Sequence, residues 1–189
     1  MGRLAALGLR AYIRRMRSLL AAALLLALAA CGEAPAANDV PAPPLLMGAF
    51  KASSNTARGI TGDVAIERGG LRFGSGVILY TRALAPRSGN DLISRGGDSY
   101  AAAAVGPGDL TIELRRITDQ TVPDGVVGLC GASRPQYIAL AYEPRATSVT
   151  MIVFSGEEPP GAEATQSRIC ATFAYVAPDG ARTREGVVL

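Results

Sequence analysis

The chain has no histidine and no tryptophan among its 189 residues, and Lys51 is its only lysine. Each gap removes chemistry. Without histidine there is no Ser-His-Asp or Cys-His nucleophilic catalysis, no HExxH metallohydrolase and no imidazole proton shuttle. Lys51 alone could act as an amine base or form a Schiff base, and no serine precedes it by three residues as the SxxK arrangement requires. The missing indole takes away the best stacking surface for sugars and bases. Cysteines number three, too few with no histidine for a zinc site of four ligands. No cofactor or metal is expected.

Acidic residues are missing from the first 31 positions, which carry Arg3, Arg10, Arg14, Arg15 and Arg17. Residues 19–30 then form an unbroken apolar run ending Leu28-Ala29-Ala30-Cys31. A basic stretch, a short apolar core and small residues before a cut are the parts of a secretory signal. Twelve helical residues would reach roughly 18 Å, short of a hydrocarbon core of about 30 Å, so a cleaved signal is expected rather than a spanning helix. A start at Met16 would give a tidier signal with the same apolar run.

Leu28-Ala29-Ala30-Cys31 resembles the lipobox of bacterial lipoproteins, in which Leu and two small residues precede the modified Cys. The resemblance covers residues 1–31. It implies a signal over residues 1–30 and a lipidated Cys31 as first mature residue, its acyl chains (palmitate among them) holding the protein at a membrane. Stable anchoring takes more than one chain, each buried methylene contributing about 0.8 kcal/mol. Gly32 implies retention in the outer membrane, at its periplasmic face. Inner-membrane retention, the alternative, follows in enteric bacteria from Asp at that place.

Removing the signal reverses the charge. Overall the chain is +3, but five of its 19 basic residues precede Cys31 and all 16 acidic residues follow it, leaving 14 against 16 and a net of −2. A nucleic-acid partner is therefore not expected. With Cys31 lipidated, Cys130 and Cys170 remain as an even pair in an oxidising compartment, expected to be a disulfide, with two reduced thiols the alternative.

Residues 31–46 are rich in Ala and Pro without periodicity and read as a disordered tether, reaching up to roughly 40 Å when extended. Residues 47–189 read as one β-rich domain. Strands are expected near residues 48–53, 63–67, 71–73, 77–84, 110–115, 137–142, 148–154 and 169–176, with residues 186–189 as a closing edge. In residues 110–115 the alternation sets Leu110, Ile112 and Leu114 inward and Glu113 and Arg115 outward, with a bulge or strand end at Arg116-Ile117. Residues 148–154 are apolar on both faces, as in a central strand. One short helix is expected after an Asp98 cap and before Gly106. Short strands at roughly ten-residue spacing with Gly turns define a mainly β fold, a single antiparallel sandwich or small barrel with at most one short helix.

Four constellations could carry function. The glycine-rich residues 69–76 lack the GxGxxG and GxxxxGK[ST] spacings and read as a hairpin turn. Lys51, Ser53, Ser54 and Asn55 read as a strand end with polar caps. Glu157-Glu158, in a Pro-rich loop, read as a solvated turn rather than the cleft-facing carboxylates of a glycosidase. Arg82, Arg87, Arg95, Arg115 and Arg116 could form an anion-binding face or simply point outward from strands. No catalytic residue is assigned. The reading expected is a non-enzymatic envelope module that binds a protein or cell-wall component or serves a structural role. Small lysozyme-inhibitor lipoproteins share this plan of lipobox, tether, disulfide and β-barrel. A barrel carrier of an apolar ligand, as in lipocalins, and a carboxylate-only periplasmic glycoside hydrolase are the alternatives.

Overall fold

The structure is a computed structural model and describes residues 45–178. The expected signal, Cys31, most of the tether and the closing edge at residues 186–189 lie outside the described residues. Among the described residues there are nine strands: β1 (Gly48–Ala52), β2 (Val64–Glu67), β3 (Gly70–Phe73), β4 (Ile78–Ala83), β5 (Arg87–Ser88), β6 (Thr111–Thr121), β7 (Tyr137–Tyr142), β8 (Ser148–Ser155) and β9 (Arg168–Val176). They form one antiparallel sheet in the order β4-β3-β2-β1-β9-β8-β7-β6-β5. β4 also pairs with β6, which closes eight strands into a barrel and leaves β5 as a short flap on β6. Of the two architectures the sequence left open, the barrel is the one formed.

Closure leaves no long sheet edge, but the β1–β9 seam is short. Only Lys51↔Val176 and Ala52↔Tyr175 pair across it. Ser53 and Ser54 then both donate their backbone N–H to the Ala174 carbonyl, and Ser54 Oγ accepts from the Ala174 amide. A single π-helical turn (Ala57–Thr61) takes over from there, with Thr61 Oγ1 lying 2.8 Å from the buried Tyr175 hydroxyl. Burial pushes the Tyr175 phenol well above its ordinary pKa.

Two apolar clusters flank the wall. Phe50, Val64, Ile66, Leu71, Phe73, Leu79, Leu140, Met151 and Phe173 fill the barrel interior. The second cluster lies outside, where residues 84–110 fold over β6, β7 and β8 and bring Ile93 and Tyr100 onto Ala139, Ala141, Ile152 and Phe154. Small alanines on the outer face of β7 let this layer approach closely, and the Tyr100 and Phe154 rings meet edge to face at 6.2 Å. β8 is apolar on both faces because it serves both clusters: Val149, Met151 and Val153 inward, Ile152 and Phe154 outward.

The same two-sided burial corrects the expected facing of β6. Leu110, Ile112 and Leu114 point away from the barrel axis, beneath the outer layer, while Glu113 and Arg115 point inside and are buried. Alternation fixed which residues share a face, but both faces are covered, so the apolar set did not mark the interior. The irregularity falls later than expected: Tyr80 pairs with Asp119 and Thr81 with Ile117, leaving Thr118 as the bulged residue.

The helix, α1 (Tyr100–Ala104), is capped by Ser99, whose hydroxyl accepts from the Ala102 amide at 3.2 Å. Asp98 sits one residue too early, its carbonyl already accepting from Ile93. Residues 122–136 cross the mouth opposite the one where the chain enters. Leu129 is buried there, and Cys130 forms a disulfide with Cys170 of β9, Cα atoms 5.2 Å apart. A bridge spanning 40 residues stabilises by about 4 kcal/mol on the chain-entropy account.

Val105, directly after α1, holds a left-handed conformation at φ 54° while 94% exposed. A β-branched residue is strained there by roughly 1–2 kcal/mol, and no burial offsets it. Val105→Gly is predicted to stabilise the domain by about 1 kcal/mol in urea unfolding. A lowered midpoint would contradict the strain assigned to this cap.

Candidate functional site

A buried ion pair lies on the inner side of the barrel wall, at the mouth where the chain enters. The Arg115 side chain is fully buried in the wall between Glu113, on the same strand, and the ends of β2 and β4. Its Nε and Nη2 both reach Glu113 Oε1, Nη1 donates to the Glu67 carbonyl at 2.7 Å, and Nη2 donates to the Leu46 carbonyl at 3.1 Å. Glu113 Oε2 accepts the Leu46 amide at 2.6 Å. Leu46 is thus held through both its backbone groups and is itself fully buried. A buried pair contributes little net stability against an apolar replacement, but losing one partner strands the other charge in low dielectric. Arg115→Met is therefore predicted to cost about 3–5 kcal/mol in urea unfolding, and the double variant Glu113→Leu/Arg115→Met clearly less. Additive losses would mean that the two charges do not depend on each other.

The other arginines separate. Arg115, expected outside, is inside; burial of a guanidinium is possible here because Glu113 and two carbonyls answer its donors. Arg95 pairs with Glu163 at 3.1 Å in solvent. Arg87 lies on the β5 flap opposite Ile112, away from the rest. Arg82 and Arg116 remain, and the register places them directly opposite each other on the outer faces of β4 and β6. Sequence reasoning missed a third. Gly70 pairs with Tyr80, and Thr81 donates to the Gly69 carbonyl at 2.8 Å, so the β2–β3 turn that carries Arg68 lies against β4 just before Arg82.

All three arginines are exposed, and among the described residues none has an ion-pair partner. Like charges directly opposite on a sheet are destabilising. Of the carboxylates on the same strands, Glu67 lies 3.9 Å from Arg72, and Asp119 accepts from the Gln120 amide. Tyr80, 47% exposed, stands beside the row.

The remaining constellations hold structure. Lys51 binds Asp63 at 2.7 Å, beside a shallow groove of about 290 Å³ that Arg72 and Pro178 also line. The Lys51 ammonium and the Ala52 amide hold the Asp63 carboxyl below its ordinary pKa. Ser54 caps the π-helical turn through the Ala57 amide, and Asn55 accepts from Arg58. The glycine-rich stretch is a turn, the strand β3 and a second turn, not one hairpin loop. In it Gly70 is irreplaceable, since a Cβ would sit 2.1 Å from the Leu79 carbonyl oxygen, with Gly76 at φ 87°. The buried hydroxyl of Ser167, with no hydrogen-bond partner, belongs to a residue lining a second hollow with Asp98 and Arg168. Among the described residues no cluster of three metal-ligating side chains occurs.

Glu157 and Glu158 close the β8–β9 loop. The Glu157 carbonyl accepts the Tyr137 hydroxyl, and Glu158 Oε2 accepts the amides of Gln166 and Thr165 at 2.9 and 2.7 Å. Those two amides hold the Glu158 carboxyl below its ordinary pKa. A carboxyl depressed by folding stabilises above its unfolded pKa of about 4.5 and loses that contribution as pH falls through the lower folded value. Amide exchange at Thr165 and Gln166 is therefore predicted to accelerate, beyond the intrinsic pH effect, as pH falls below about 4.5. No such excess below that pH would contradict the clasp.

Comparison of the chain with protein-family models, with curated proteins and with solved structures finds no match.

Proposed function

We propose that the protein is a lipid-anchored envelope lipoprotein whose barrel works as a binding or structural module through its outer wall, without catalytic turnover. The observation that carries the module reading is how the barrel is filled. Large apolar side chains from the strands occupy the interior, and the Arg115–Glu113 pair fixes Leu46 at one mouth. A filled barrel offers its outer surface for recognition.

The carrier alternative has the eight-stranded barrel in its favour. It would need the interior to clear side chains such as Phe50, Phe73 and Phe173, each nearly or fully buried. The hydrolase alternative draws no support from Glu158, which is bound into its own loop, or from Glu113, which is bound to Arg115 inside the barrel.

The anchor rests on Leu28-Ala29-Ala30-Cys31 after the basic and apolar stretches. Outer-membrane placement at the periplasmic face rests on Gly32. Mass spectrometry of the chain isolated from bacterial membranes is predicted to find an acylated N-terminal Cys31. An unmodified N-terminus downstream of Cys31 would overturn the anchor. Turnover of peptidoglycan or polysaccharide, lost on changing one carboxylate to its amide, would overturn the module reading.

A further inference from the structure

We propose that the row of Arg82 and Arg116, with Arg68 in the adjoining β2–β3 turn, is a docking face for the phosphate groups of an anionic lipid bilayer. The proposal rests on the lipoprotein reading for how the bilayer comes within reach, and on the structure for where the face lies. Arg82 and Arg116 stand opposite each other on β4 and β6, the β2–β3 turn that carries Arg68 abuts β4 at Thr81, and none of the three has a carboxylate in ion-pairing distance among the described residues. Such a row persists when water or an external anion answers it. The planar guanidinium fork suits the paired oxygens of a phosphate.

Position chooses the anion's source. On the inner side of the wall Arg115 binds the Leu46 and Glu67 carbonyls and reaches toward Thr81. The residues that follow Arg115 and Thr81, Arg116 and Arg82, point outward, and Arg68 follows Glu67 in the β2–β3 turn. The row therefore lies across the wall from the point where the chain enters the barrel. Thirteen residues lie between Cys31 and Leu45, so an acylated Cys31 keeps that point within roughly 40 Å of the membrane. Tyr80, exposed beside the row, has the apolar ring and polar tip that suit a headgroup layer. Each arginine near an anionic surface strengthens attachment about fivefold.

The test uses the chain as processed by an expressing bacterium, reconstituted into vesicles of phosphatidylcholine alone or mixed with phosphatidylglycerol. Phenylglyoxal labelling, read by mass spectrometry, reports each arginine separately. Labelling of Arg82 and Arg116 is expected to fall about fivefold or more in the anionic vesicles, with Arg87 unchanged and the protection lost at high salt. Arg82→Glu/Arg116→Glu should abolish the protection of Arg68. Equal labelling in both vesicles overturns the proposal. So does equal protection by soluble polyphosphate with phosphatidylcholine vesicles, which would mark a polyanion site. The N-terminal mass separates the two readings: an acylated Cys31 without protection overturns the docking face alone. A chain lacking acyl groups but protected on added anionic vesicles supports the face and overturns the anchor.

Discussion

The contact on which the rest of the barrel depends is the buried pair of Arg115 and Glu113. Two charges two residues apart on one strand satisfy each other and together hold both backbone groups of Leu46. Arg115 also takes the carbonyl of Glu67, at the end of β2, and approaches Thr81 in β4. One side chain thus ties the incoming chain, the first hairpin and the β4–β6 closure at a single mouth. Apolar packing is non-directional and could not set the register of that closure so narrowly. Hydrogen bonds from a fixed guanidinium can. The opposite mouth is held differently, by the covalent Cys130–Cys170 link and by Thr61 against Tyr175.

Much of the strand pattern was readable because its cause is local. β7 and β8 stand out as apolar runs bounded by Pro and Gly turns, and the two-faced burial of β8 follows from apolar residues at both parities. The disulfide followed from cysteine parity once Cys31 was set aside. The facing of β6 could not be read the same way. Leu110, Ile112 and Leu114 are buried as expected, but under a layer supplied by residues 84–110, a stretch whose sequence is mostly loop. Which of two buried faces lines the barrel is a tertiary fact, and nothing within residues 110–117 encodes it. The β5 flap and the π-helical turn escaped notice for a similar reason: two residues and one turn carry no period.

The candidate site was legible in part. Arg82 and Arg116 were visible as basic residues on strands, but only the register shows that they face each other. Arg68 sat in a turn and carried no signal of its own. Arg115 was grouped with them, yet it does the opposite task, neutralised inside while its neighbour Arg116 meets solvent. That division gives the wall its character: a satisfied charge within and unsatisfied charges without, at the mouth where the chain arrives.

The most direct test of this account is native-state hydrogen exchange at the Leu46 amide, the donor to Glu113. If the buried pair fixes the incoming chain, that amide exchanges only with global unfolding, at the same free energy as the amides of β7 and β8. Exchange as fast as in an exposed loop, while those strands stay protected, would show that the chain is not held there and would contradict the account.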